Sequence, residues 1–365
     1  MRAMIMAAGL GTRLLPLTAI TPKPMVPILG RPILAHILAL LRRHRITDVV
    51  INLHHAPESI TSYFGDGREW GMRVTYSLEP ELLGTAGGVK RNERFLTEDG
   101  AFLVVSGDSL MDVDLSGLVA AHTDSGAVAT LALKEVEDPS QYGVVALDDR
   151  GAIRSFQEKP APGEEISRLC NCGLYVLEPD VLQRVPAGVF YDFGRQLWPE
   201  LLAEEARLGS FSVSGYWNDV GDIQAYRQGS FDALNGRVQL DRDATEVMPG
   251  VWCGPRSYVD GGADIEPPVY IGADSRVEGG SRLRGPVVLG CGSVVEEGAT
   301  VSDVVAWPAA LFGRGSTIER STVGTLTRFM GWVRMRDCVV GERCLLGDTG
   351  PIEGASLEPG TVLWA

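Results

Sequence analysis

Histidine is scarce in this 365-residue chain and stops early: His36, His44, His54, His55 and His122 are all there are. Beyond residue 122 any chemistry must run without an imidazole base. Cysteine is also sparse. Cys170, Cys172, Cys253, Cys291, Cys338 and Cys344 include one C-x-C pair but no C-x-x-C repeat and no histidine nearby, which excludes a recognisable zinc motif or a disulfide framework. Free, mostly buried thiols are expected. Long apolar runs are missing too. The longest, Ile33 to Leu41, contains His36 and ends at Arg42 and Arg43, short of half a bilayer span. The opening MRAMIMAAGLG is broken by glycines, as for a strand entering a loop rather than a signal peptide, so a cytoplasmic protein without membrane attachment is expected. Positive charge is deficient: a formal net charge of −14 argues against nucleic acid or anionic membrane as the main partner.

The composition that remains, 45% hydrophobic and 22% charged, is that of a folded protein, and the length calls for two domains. Over residues 1–235, β-branched runs alternate with helical patterns. Strands are expected at Ala3–Ala8, Val49–Leu53, Arg73–Leu78, Phe102–Ser106 and Val128–Leu133, with helices at Ile33–Arg43 and Leu115–His122. This is an α/β pattern: a Rossmann-like, mostly parallel sheet with helices on both faces. In the first helix Ile33, Ile37, Leu40 and Leu41 form a core-facing stripe. Residues 236–250 read as a linker. In 251–365 a six-residue stride appears, Ile271, Val277, Leu283, Leu289, Val295 and Val301, disturbed near Trp307–Gly313 and Phe329–Met335 and resuming at Val340 and Leu346. A fixed hexad step implies a solenoid of stacked coils, and the segment resembles a hexapeptide-repeat left-handed parallel β-helix. Loops or register shifts are expected where the stride is disturbed.

The strongest local signal is GLGTRLLPLTAITPKPMVPI, from Gly9 to Ile28. Its glycines let backbone N–H groups approach phosphate oxygens closely. It lacks the Gly-Lys-Ser/Thr of a P-loop, and Leu14 stands where a dinucleotide fingerprint needs its third glycine. With its spacing to Pro-Lys-Pro, the run resembles the signature of the sugar nucleotidyltransferases, or nucleotide-sugar pyrophosphorylases. Further blocks match that family in order: LGTAGG (Leu83–Gly88), SGDSL (Ser106–Leu110), YGVV (Tyr142–Val145), EKP (Glu158–Pro160) with NCGLYVL (Asn171–Leu177), and WNDVGD (Trp217–Asp222). The resemblance covers nearly all of the first 235 residues.

It implies transfer of a nucleotidyl group from a nucleoside triphosphate to a sugar 1-phosphate, with Mg²⁺. Residue by residue, it assigns the nucleotide to Leu10, Gly11, Thr12, Arg13, Lys23, Glu79, Gly84 and Thr85, with Arg13 and Lys23 on the β- and γ-phosphates. A departing pyrophosphate gathers negative charge, so cations aimed at it act on the chemical step. The Mg²⁺ ligands would be Asp108 and Asp219, hard oxygen donors of the kind the ion prefers. Taken without the resemblance, an aspartate after a strand is more often a turn or cap residue, and Asp112, Asp114 and Asp222 read that way. The sugar phosphate would fall to Gly143, Glu158, Lys159 and Asn171. With a phosphate nucleophile already ionised at neutral pH, the in-line displacement needs no general base, and Arg13, Lys23, Asp108 and Lys159 form the catalytic set.

At Glu79 a carboxylate, which only accepts, suits the paired N1–H and amine donors of guanine. The LGTAG string also resembles the mannose-1-phosphate guanylyltransferase branch, so GTP with mannose 1-phosphate is expected, with thymidylyl or uridylyl transfer to glucose 1-phosphate as the alternative. Acyl transfer by the repeat tail is disfavoured because no histidine lies there. A catalytically silent scaffold subunit is the rival of another class. The tail is expected to serve in oligomerisation or regulation, in a homo-oligomer.

Overall fold

The computed structural model describes residues 1–347 and 350–364. The chain packs as two compact units, one of Met1–Leu10 with Ile37–Asp219 and one of Gly11–His36 with Val220–Ala365. The segments 11–36 and 220–235 thus fold with the C-terminal residues although they lie inside the α/β pattern of the sequence.

The first unit is built on a nine-stranded sheet. Its strands are β1 (Ala3–Met6), β2 (Asp48–Leu53), β3 (Arg73–Leu78), β4 (Phe102–Ser106), β5 (Ala129–Glu135), β6 (Gly143–Leu147), β7 (Ile153–Glu158), β8 (Leu169–Leu177) and β9 (Leu208–Ser212). In space they run β3-β2-β1-β4-β8-β5-β9-β7-β6. The first four pair in parallel, as do β5 and β9. The expectation of a mostly parallel sheet needs correction, because β8 runs antiparallel to both β4 and β5, and β7 is antiparallel to β6 and β9. For β6 and β7 the reason is connection length. Residues 148–152 between β6 and β7 allow a hairpin but no helical crossover, so the strands must reverse. Strands β1 and β4 are apolar almost throughout because they are central, and Met4, Phe102, Val104, Leu131 and Leu177 join one buried cluster.

The helix Ile33–Arg43 is buried along residues 33–41, including His36, rather than along a single stripe. The His36 Nε2 position bonds the Ile28 carbonyl at 3.0 Å, which satisfies the ring inside an apolar helix. Asp114 and Asp222 cap the helices Leu115–Ser125 and Ile223–Leu234, as read from sequence. Among the described residues no helix is long and apolar enough to cross a membrane. All six cysteines are free; Cys170, Cys172, Cys338 and Cys344 are buried, whereas Cys291 is exposed.

In the second unit, Thr245–Met248 forms a strand antiparallel to Val251–Cys253, so the expected linker carries regular structure. After it come parallel ladders. Val259, Val277 and Val295 stack with a register of 18 residues. From there the register shortens to 17, through Phe312, Phe329, Leu346 and Leu363. Parallel columns run Ala306–Val323–Val340–Leu357 and Ile318–Met335–Ile352. The stride after Val301 therefore goes five, six, six. Among the described residues the irregularity seen in the sequence is one side of each later coil being a residue shorter, with no inserted loop. Ile271, Val277, Leu283, Leu289, Val295 and Val301 are each fully buried, and the Phe312 and Phe329 rings stack at 5.5 Å.

Candidate active site

A cavity of about 310 Å³ opens at the carboxyl ends of the parallel strands of the first unit. Met6, Asn52 and Ser106 come from the ends of β1, β2 and β4, Glu79 directly follows β3, and Asp108 follows β4. Open α/β sheets bind ligands at such edges, here next to the point where the parallel strands give way to antiparallel β8. Gly84 and Thr85, at the start of the helix Gly84–Arg91, and Phe190 and Asp192 complete the wall. Gly84 has φ +73°, and a Cβ there would meet the Tyr191 carbonyl oxygen at 2.7 Å, so glycine is required for the helix to begin against that backbone.

The cavity thus brings together Glu79, Gly84, Thr85 and Asp108 of the expected residues. It adds Asn52, Ser106, Phe190 and Asp192, which sequence reasoning missed. A signal for Asn52 existed: it is a polar residue inside the apolar run VVINL. Glu79 is 1% exposed. One of its oxygens accepts from Asn52 Nδ2 at 2.8 Å and the other from the Leu83 amide at 3.2 Å. Asn52 Oδ1 in turn accepts from the Ala7 amide at 2.7 Å, and His54 Nδ1 donates to the Glu79 carbonyl. This relay fixes the end of β1 to the start of the 83–91 segment. Each carboxylate oxygen retains acceptor capacity toward the cavity.

Asp108 Oδ1 accepts from Ser106 Oγ at 3.0 Å, and Asp219 Oδ1 from the Tyr142 hydroxyl at 3.2 Å. A two-stranded ribbon pairs Trp217 with Met111 and Asn218 with Leu110. Asp219 follows Asn218 and Asp108 precedes Leu110 by two residues, so the ribbon carries both acids out of the same end. Tyr142 packs edge-on to Trp217 at 5.4 Å, which steadies the hydroxyl on Asp219.

Glu158 ends β7 opposite Gly143 of β6. Its Oε2 lies where Cβ atoms at Gly143 or Gly194 would fall, 3.0 and 2.5 Å away, so both glycines make room for it. Burial first, and then the charge of Asp192, hold its carboxyl above the usual range, opposed by Lys159 and Arg195. Asp192 therefore faces both Glu158 and the cavity. It accepts from Thr85 Oγ1 at 2.8 Å and from the amides of Gly194 and Arg195. Lys159 has φ +46°, a left-handed turn tied by its amide to the Tyr142 carbonyl at 3.0 Å. Asn171 donates to the Tyr175 hydroxyl at 2.8 Å and accepts from the Gly173 amide at a break in the β8–β5 register. Gly143, Glu158, Lys159, Asn171 and Asp219 do not line the cavity that holds Glu79 and Asp108.

From Gly11 onward the glycine loop belongs to the second unit. Leu10, the last residue of the first unit's opening segment, is exposed. Gly11 takes φ +62°, and a Cβ there would come within 2.8 Å of Lys23 Cβ, so the two ends of the loop touch. Thr18 Oγ1 closes onto the Gly11 carbonyl at 2.8 Å. Thr12 and Arg13 lie in an exposed 3₁₀ turn, whereas Lys23 is only 8% exposed and is no solvated loop lysine.

A family model described as nucleotidyl transferase matches residues 2–236. The chain belongs to the nucleotidyl transferase family. This nucleotidyl transferase is 40% identical over 267 residues to a UTP–glucose-1-phosphate uridylyltransferase of Synechocystis, covering 70% of this chain and 69% of that protein. It is 33% identical over 277 residues to a mannose-1-phosphate guanylyltransferase of Mycobacterium tuberculosis, covering 72% and 76%. In fold it is similar to a solved glucose-1-phosphate thymidylyltransferase from Bacillus anthracis, with a TM-score of 0.59 at 24% identity over 66% of this chain and 97% of that one.

Proposed function

We propose that the protein is a sugar-1-phosphate nucleotidyltransferase, which joins a nucleoside triphosphate to a sugar 1-phosphate and releases pyrophosphate. The observation that carries this is the cavity at the strand ends, lined by Glu79, Gly84, Thr85 and Asp108, in a chain of this family. A phosphate oxygen of the sugar 1-phosphate attacks the α-phosphorus, the bond to the bridging oxygen breaks, and pyrophosphate leaves with the electron pair. Lys159 holds the attacking phosphate, Glu158 and Asn171 accept from and donate to sugar hydroxyls beside Gly143, and Thr85 and the Gly84 amide border the base. Gly11 and Thr12 amides, with Arg13 and Lys23, stabilise the charge of the departing group.

The donor chemistry of Asp108 and Asp219 fits Mg²⁺, which is bound by one or two carboxylates with substrate phosphates and water. When bound, Mg²⁺ neutralises phosphate charge; the protein's part is to hold the two carboxylates at one end of their ribbon.

For the nucleotide we infer GTP, with mannose 1-phosphate as acceptor, because Glu79 offers the cavity acceptors only. UTP with glucose 1-phosphate has its own support in the 40% identity to the Synechocystis uridylyltransferase. Pyrophosphate release with Mg²⁺, over five nucleoside triphosphates against mannose, glucose and N-acetylglucosamine 1-phosphates, separates them. A maximum at GTP with mannose 1-phosphate upholds the finer reading, and a maximum elsewhere keeps only the transferase. A blank grid from folded protein removes the activity and leaves a silent scaffold. We further infer that the second unit, whose aliphatic columns stack in parallel, is a left-handed β-helix that serves in homo-oligomer assembly, the latter tested by sedimentation of the full chain.

A further inference from the structure

The glycine-loop segment, residues 11–36, has little regular structure of its own. It contains two 3₁₀ turns, a two-residue ladder and the beginning of a helix. Such a segment holds one shape only where side chains pin it. The pins come from later parts of the same compact unit, the helix Ile223–Leu234 and the ladder that follows it with its turns. The Tyr226 hydroxyl, fully buried, accepts from Trp307 Nε1 at 2.8 Å and donates to the Pro27 carbonyl at 2.8 Å. Arg31 forms a two-pronged ion pair with Asp243, and Gly30 leaves room for Tyr270, whose hydroxyl lies 3.0 Å from where a Cβ would be.

The pin nearest the cations is Thr21. Its hydroxyl donates to Glu342 Oε1 at 2.6 Å, across 321 residues of sequence. Glu342 is 6% exposed, and a carboxylate that far from water must be held by hydrogen bonds. It sits in the turn between the short strands Val339–Val340 and Leu345–Leu346. Thr21 lies two residues before Lys23, whose Cβ abuts Gly11. Whatever fixes Thr21 therefore fixes both ends of the loop that carries Arg13.

We propose that Glu342, through Thr21, is a positioning residue for the phosphate-binding loop, so that the ladder tail acts on the transfer step itself as well as on assembly. The proposal rests on the transferase reading given above. It predicts a defect in kcat with nucleotide, because the proposed reading gives the loop's Arg13 and Lys23 to the departing pyrophosphate, and an unchanged KM for sugar 1-phosphate.

The test uses the full chain with Thr21→Val, Glu342→Ala and the double variant, plus Thr21→Ser and Glu342→Gln, which keep a donor and an acceptor. Steady-state pyrophosphate release and amide hydrogen exchange of residues 11–26 are both measured. Thr21→Val and Glu342→Ala are each expected to lower kcat about tenfold, as for a lost hydrogen bond to a charged group, and the double variant to fall no further. Thr21→Ser and Glu342→Gln should stay within about threefold of the parent. Multiplying defects in the double variant, or an equal rise in the sugar 1-phosphate KM, would overturn the proposal. Parent-like kinetics in Glu342→Ala would do the same. If the parent protein itself is inactive, the transferase reading fails. Exchange then decides the clamp alone: faster exchange at 11–26 in Glu342→Ala supports it, and unchanged exchange refutes it.

Discussion

Exchanging Glu79 for glutamine would put an amide where two donors already converge. Asn52 Nδ2 points at one carboxylate oxygen and the Leu83 amide at the other, in a site only 1% exposed. A glutamine NH₂ must face one of them, so one buried donor loses its acceptor. The loss is about 1–3 kcal/mol, which for a unit of this size lowers the melting temperature by about 2–4 °C per kcal/mol. The remedy follows from the same geometry. Adding Asn52→Asp reverses the relay: the carboxylate so introduced accepts from the Ala7 amide and from the new glutamine NH₂, while the glutamine oxygen accepts from Leu83. Thermal and denaturant melts of E79Q, N52D and the pair are the assay. Both single variants should melt below the parent, and the pair should return to within about 0.5 kcal/mol of it. A melt for E79Q indistinguishable from the parent, or a pair worse than E79Q alone, refutes the relay. The pair also isolates recognition from folding. If Glu79 reads guanine, stability returns in the double variant while GTP preference does not.

Asp108→Asn and Asp219→Asn should each reduce kcat by about a hundredfold or more and shift the Mg²⁺ dependence to higher concentration without moving the melt; near-parent turnover would remove that residue from the proposed metal-binding pair. Glu158, held above the ordinary carboxyl range by burial and Asp192, accepts from sugar hydroxyls through both oxygens only when ionised, and a proton turns one of them into a donor. The KM for sugar 1-phosphate should therefore rise as pH falls toward its raised pKa, already above the ordinary value of 4.5, and Glu158→Gln should abolish that limb. For stability the sign is that of a raised acid: the folded form favours the proton, so its benefit is present at low pH and lost as pH rises through the folded pKa. Glu158→Gln should thus stabilise relative to the parent at neutral pH and lose that advantage on acidification, in paired melts. Phe312→Ala removes a fully buried ring stacked on Phe329 and should destabilise the ladder by about 3–5 kcal/mol, seen as faster amide exchange through residues 311–346.

Much of the architecture could be read from local pattern. The strands Arg73–Leu78 and Phe102–Ser106 appear where β-branched and apolar runs put them, and Asp114 and Asp222 cap helices as short polar residues before apolar stretches do. Pairing direction was less legible, because apolar runs look alike whichever way a strand enters; only the five residues between β6 and β7 hinted at reversal. The cavity lining was legible where a residue stands in a compact motif, as Gly84, Thr85 and Asp108 do, or just ahead of one, as Glu79 does. Asn52 and Asp192 escaped because their roles depend on partners 27 and 107 residues away, Glu79 and Thr85. The same holds for Thr21 and Glu342. Their contact needs the ladder's 17-residue register, which no hexad count beginning at Ile271 could extend past Val301.

That shorter register has a further consequence for how the tail tolerates change. Its later coils have two six-residue sides and one of five, so the three edges are not equivalent under insertion. A residue added to the five-residue side restores six-six-six and leaves every later aliphatic column pointing inward. The same residue added to a six-residue side makes a side of seven, a length absent from the described coils, so it must bulge out locally for the later columns to stay inward. Changes of length in this half of the protein are therefore filtered by edge: a single residue fits into the stack on one edge, and elsewhere it must bulge out or arrive as part of a whole coil.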